Sequence, residues 1–343
     1  MAGARIFDPV TIDADKIRKI VEADHLPIIQ FSAPTYSAEL LRDINRLCVE
    51  FDRRIEVRFF AHGRGGFDAA ILKHLRDVQR LSLDTLMEIR NEACLGELEH
   101  LRRLHFAVYR FTDRAFLARL GNLSQLTHLT IGENAKRDLD LAPLTAAKQL
   151  KQLFLVGQHR GIEALADLPQ LKHLGLSKTA KQQRLGFVSS IARLRSLFLI
   201  LGGRTSIDEI HHAGLEDLKI IWVRGLESLD DLTRFPSLHR LQIEDQLQLR
   251  TIDLACPQLE DLILHNCKNL ERLDGLRDLT QLRCFQVSRT KLDLDALLEY
   301  PWPPSLRVCS LSAGSRQWNE AARARLNARG YRDYAKPEAR QTP

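Results

Sequence analysis

A six-residue phrase, apolar-x-x-apolar-x-apolar, recurs eleven times along the chain. It reads VQRLSL from residue 78, LRRLHF from 101, LTHLTI from 126, LKQLFL from 150, LKHLGL from 171 and LRSLFL from 194. It continues as LEDLKI from 215, LHRLQI from 238, LEDLIL from 259, LRCFQV from 282 and LRVCSL from 306. Its fourth position is Leu81, Leu104, Leu129, Leu153, Leu174, Leu197, Leu218, Leu241, Leu262, Phe285 and Cys309, at intervals of 21 to 25 residues. Within the phrase, a period of two sends both apolar side chains to one face of a short strand and the residue between them to the other. One such unit cannot bury its own leucines. The units must therefore stack, each adding a strand to a parallel sheet and side chains to a continuous core. Apolar residues at three-residue spacing, as in Ile162, Leu165, Leu168 and Leu171, predict tight helical turns between strands, and Pro169, Pro236 and Pro257 mark where those turns end.

The phrase and its interval resemble the leucine-rich-repeat family over residues 75–314. Units such as LKQLFLVGQHRGIEALADLPQ (150–170) and LRDLTQLRCFQVSRTKLDLDAL (276–297) resemble its short-repeat bacterial and phosphatase-regulator subtype. The resemblance implies an α/β fold, a right-handed, curved solenoid with a concave parallel sheet and short helical or 3-10 segments on the convex side. It also implies an asparagine three residues after the last strand leucine, satisfying backbone groups at the turn. Here that slot holds Asn134 once, and otherwise Cys267, Thr179, Thr290, Gln158, Gln246, Val223, Tyr109 and Leu86. Uneven turns are the expectation.

Terminal repeats expose core unless they are capped. Residues 1–77 read as an N-terminal α/β cap, with strands at 26–32 and 54–60 and a helix at 37–51 started by Ser37. A strand–helix–strand order favours a parallel crossover that extends the sheet; a small separate domain is the alternative. Residues 78–314 carry the repeats. In 315–343, NEAARARLNARG (319–330) reads as a capping helix ended by Gly330, followed by a polar tail with the composition of disorder.

Leucine supplies 45 of residues 101–300 and 14 of all the others, so one region follows a single rule. Lys and Arg number 50 against 44 Asp and Glu, a net +6 whose excess gathers at the C-terminus. That makes nucleic acid an improbable partner. Six scattered cysteines and an N-terminus without an apolar stretch predict a reducing, cytoplasmic setting, of bacterial origin. No apolar run approaches the roughly 20 residues that cross a bilayer.

Catalysis needs convergent groups, and no motif supplies them. HGRGGF (62–67) lacks the lysine or hydroxyl of a phosphate loop and reads as a plain turn. The pair His211 and His212, and the set Cys256, His265 and Cys267, lack metal-ligand spacing. Too little chain follows the repeats for a ligase domain. The expectation is no enzyme, no cofactor and no metal.

The residues flanking each fourth position form the open face of the strands. Phe154, Val156, Phe198, Ile200, Ile221 and Ile263 place apolar side chains there, and Arg80, Arg103 and His105 place cationic ones. Hydrophobic anchors with a charged surround describe a surface that grips a protein partner. The alternatives are an immunity or inhibitor protein neutralising a toxin or enzyme by the same face, self-association, a salt-sensitive nucleic-acid binder, and an enzyme built on the N-terminal segment.

Overall fold

The computed structural model describes residues 3–52, 54–63, 65–135 and 138–333. The chain packs as two units, Met1–Leu171 and Lys172–Pro343.

In the first unit seven strands run parallel: β1 (Gly3–Phe7), β2 (Leu26–Phe31), β3 (Glu56–Phe60), β4 (Arg80–Leu86), β5 (Arg103–Val108), β6 (His128–Ile131) and β7 (Gln152–Val156). The fourth positions pair in one register, Leu81 with Leu104, Leu104 with Leu129 and Leu129 with Leu153. Val57 continues that row, pairing with Leu81 on one side and Ile29 on the other. The N-terminal strands thus extend the sheet of the repeats. Helix α1 (Ala14–Glu22) joins β1 to β2, and α2 (Ala38–Glu50) joins β2 to β3. Ser37 caps α2, its hydroxyl accepting the Leu40 N–H at 3.0 Å.

Strand β1 and helix α1 were not foreseen. GARIF is short and exposed or half-buried throughout, and α1 buries one residue, Ile17, so neither carries a strong apolar pattern. Asp13 starts α1 by accepting the Asp15 and Lys16 N–H groups.

The second unit repeats the arrangement with β8 (His173–Thr179), β9 (Ser196–Gly202), β10 (Asp217–Ile221), β11 (Arg240–Glu244), β12 (Asp261–His265), β13 (Cys284–Ser288) and β14 (Val308–Ser312), again all parallel. Leu174, Leu197, Leu218, Leu241, Leu262, Phe285 and Cys309 form its register row and are buried. All eleven phrases are therefore strands, facing the core as their period requires.

Most returns between strands are 3-10 turns, such as Ile162–Asp167, where Ile162, Leu165, Leu168 and Leu171 are all buried. A tight turn every three residues brings these side chains back onto the leucine row. No helix among the described residues is long and apolar enough to cross a membrane.

The asparagine slot is filled by other means. Gln158, buried, accepts the Leu139 N–H at 2.8 Å and donates to Gly132 O at 3.2 Å. Gln246 donates to Glu244 O at 2.7 Å, and the Cys267 thiol approaches Ile243 O and His265 O at 3.7 and 3.6 Å. Asn134 binds Phe111 O. The erosion predicted from sequence is real in residue type, yet these side chains still reach the backbone groups of the turn.

A feature invisible to the pattern recurs at the strand exits. The residue four past the register position turns left-handed: Ala61, Thr85 and Gly157 in the first unit, then Lys178, Leu201, Trp222, Asp245, Asn266 and Arg289 in the second, with φ between +50° and +64°. Several of these residues keep their N–H in the ladder while the chain swings away, as Trp222 does to Glu244 O at 3.0 Å and Asp245 to His265 O at 2.9 Å.

At the C-terminal end, α3 (Arg316–Ala328) begins earlier than the sequence suggests, capped by Ser315, whose hydroxyl accepts the Trp318 N–H. Asn319 instead braces the preceding turn, bonding both N–H and C=O of Ala313. Gly330 ends the helix at φ +89°. Arg332 then adds a parallel bridge beside Val308. Its N–H donates to Arg307 O and its C=O accepts from Cys309. The start of the supposed loose tail is thus part of the sheet edge, while residues 334–343 lie outside the described residues.

Candidate protein-binding face

Parallel register converts the alternate residues of each strand into rows across the open face. In the second unit the middle row is Gly175, Phe198, Lys219, Gln242, Ile263, Gln286 and Ser310. The row beside it is Ser177, Ile200, Ile221, Glu244, His265, Ser288 and Ser312. Phe198, Ile200, Ile221 and Ile263 are half-buried on this face, where the period places them. Ile200 and Ile221 are register partners on neighbouring strands.

Two residues that the pattern did not single out complete the apolar group. Leu201 and Trp222 occupy the left-handed exits directly after Ile200 and Ile221. Trp222 is 53% exposed, an indole held at the rim of the face. Phe198, Ile200, Leu201, Ile221 and Trp222 make one ridge across β9 and β10. Their signal was present as apolar letters just past the strand phrase, but only the exit geometry assigns them to the surface.

Beside the ridge lies a hollow of about 480 Å³ lined by Lys219, Gln242, Glu244, Ile263, His265, Gln286 and the small residues Ser288, Ser310 and Ser312. Small side chains on β13 and β14 make the floor recede. Gln242 donates to Glu244, and His265 bonds Ser288. Arg240 lies between two carboxylates, its register partners Asp217 and Asp261. Burial pushes the Asp217 carboxyl up, while Arg240 pulls it the other way.

Ser288 and His265 have the geometry of a nucleophile and base. Among the described residues, however, no carboxylate orients the other imidazole nitrogen, so the pair lacks the third member that activates such a serine. No group of three or more His, Cys, Asp or Glu among the described residues is arranged to hold a metal ion. His212 is a structural pin: it is buried, with Nε2 on Ile191 O at 2.8 Å and Nδ1 accepting the Gly214 N–H at 3.2 Å. The Cys256 thiol is pushed up to about 12 and that of Cys267 to about 11, in both cases by burial, which leaves them protonated.

The first unit carries the other candidates. Phe154 and Val156 are half-buried on β7, with Thr130 as the register partner of Phe154. Arg80 and Arg103 are register partners on β4 and β5. His105 stands 3.8 Å from Asp84, which also pairs with Arg58. Burial lowers the His105 pKa below that of a free imidazole, while Asp84 pulls it the other way. His62, in HGRGGF, is buried and bonds Tyr36 Oη at 3.2 Å and Phe60 O at 3.0 Å. That segment is anchored by an aromatic cluster of Phe31, Tyr36, Phe59 and Phe67.

Comparison with solved structures shows the fold. An internalin (inlF) of Listeria monocytogenes superposes with a TM-score of 0.54 at 17% identity, over 84% of this chain and 78% of that one. The Toll–Spätzle complex of Drosophila gives 0.51 at 15% identity, over 90% of this chain and 45% of that one. A leucine-rich-repeat protein of Leptospira interrogans is similar at 15% identity over 90% and 89% of the two chains, with a TM-score of 0.44. No protein-family model matches the chain, and no curated protein matches it in sequence.

Proposed function

We propose that this protein, whose fold is that of the leucine-rich repeat, is a non-enzymatic interaction module that holds a protein partner on the open strand face of residues 172–343. The observation that carries the reading is the ridge of Phe198, Ile200, Leu201, Ile221 and Trp222, contiguous over two strands and crowned by a half-exposed indole. Aromatic anchors of this kind dominate binding energy at protein interfaces, and the polar hollow beside the ridge suits the hydrogen-bonding rim of such a contact. Leucine-rich-repeat folds are typically protein-interaction modules. The thiols of Cys94, Cys256, Cys267 and Cys309 are outside any disulfide, which fits a reducing compartment, and a cytoplasmic location is part of the proposal.

The test compares the wild-type protein with Phe198→Asp and Trp222→Ala as baits in native lysate, followed by titration of the purified partner. Both substitutions should leave circular dichroism and melting unchanged and weaken the complex by a factor of ten or more. A partner held equally by all three proteins would remove this face from the account.

A further inference from the structure

Arg80 and Arg103 stand opposite each other on adjacent parallel strands, on the open face of the first unit. Like charges directly across a strand pair repel, so a bound anion would stabilise such an arrangement. The only acidic residue in register with either is Glu56, on the far side of Arg80. Within the described residues neither guanidinium makes an ion pair, and Arg80 Nε has no acceptor.

Arg240, in the equivalent row of the second unit, differs in its register neighbours, although its Nε likewise has no acceptor. It has a carboxylate on each side, Asp217 and Asp261. Arg80 has a carboxylate on one side and a second arginine on the other. Asp84, the other acid nearby, is already engaged by Arg58 and His105. Arg103 is exposed and shares with Arg80 the one nearby negative charge of Glu56.

We propose that Arg80 and Arg103 form an anion-recognition site for a carboxylate side chain on an acidic segment of a protein partner. Two adjacent guanidinium forks match the planar, bidentate geometry of a carboxylate. With Glu56 alongside, the two guanidinium groups keep one uncompensated positive charge, which a single carboxylate neutralises. Burial together with mutual repulsion lowers the pKa of Arg103, and a bound anion would relieve that repulsion. The site belongs to the first unit and the ridge of Trp222 to the second, and loss of either leaves the other reading intact.

The experiment measures binding of a fluorescein-labelled oligoglutamate peptide to the full chain at low ionic strength, by anisotropy. Arg103→Gln and the double variant R80Q/R103Q should weaken it by about tenfold or more without changing the melting temperature. The pair R316Q/R325Q, on the C-terminal helix, should leave it unchanged. Equal affinity in the double variant overturns the proposal, as does an equal loss in R316Q/R325Q. So does displacement of the peptide by inorganic phosphate or a single-stranded oligonucleotide at lower concentration than free oligoglutamate. Because Arg103 is exposed, the single variant remains decisive if the double one fails to fold.

Discussion

Gln158 is tied to Leu139 across a strand connection: its Oε1 accepts the Leu139 backbone N–H at 2.8 Å while its Nε2 serves Gly132 O. A buried side chain thereby stands in for the turn asparagine of its fold. Gln158→Ala strands a buried N–H and should cost about 2 kcal/mol. Urea unfolding monitored by circular dichroism checks this; an unchanged midpoint would show that the bond is dispensable.

Thr85 holds φ at +50° although it is β-branched and exposed. Such residues resist the left-handed region, and glycine does not. Thr85→Gly should therefore stabilise the protein by about 1 kcal/mol. A lower urea midpoint in the variant would contradict the assigned backbone.

Of the six thiols, Cys94 and Cys284 are partly accessible and Cys48, Cys256, Cys267 and Cys309 are buried. Burial pushes Cys256 and Cys309 up to about 12, so little thiolate exists near neutral pH. A thiol reagent should modify Cys94 and Cys284 in the native protein and all six after denaturation. Mass spectrometry of the labelled peptides identifies which react.

Burial holds the His62 pKa below its ordinary value, and the same is true of His105 and His173. A native pKa lower than the unfolded one means that the unfolded state binds the proton more readily. Stability from these groups is present in full above about pH 6.5 and is lost as the pH falls through the lowered native values. Glu56 and Asp217, whose carboxyls burial pushes up, act in the opposite sense. The drop in melting temperature between about pH 7.5 and about pH 6 should thus be smaller in His62→Phe than in the wild type. Identical slopes would refute the role of His62.

The repeat architecture was legible because L-x-L alternation repeats eleven times, each instance supporting the next. Phe198, Ile200, Ile221 and Ile263 followed from the same alternation. The signal failed where structure depends on single residues. Helix α1 rests on one buried isoleucine and an aspartate cap, a pattern too thin to stand out. Trp222 was missed because a tryptophan at positive φ contradicts local preference, and only the neighbouring repeats impose that turn. The burial that lowers the His105 pKa is likewise not legible in the letters.

The left-handed exits have one more consequence. In the second unit they carry Lys178, Leu201, Trp222, Asp245, Asn266 and Arg289, six different side chains on one recurring backbone turn. Each lies past the register row, so exchanging it alters the rim without disturbing the leucines beneath. The molecule thus separates what must be kept for folding from what is free to vary, and a new preference for a partner can be acquired one rim residue at a time.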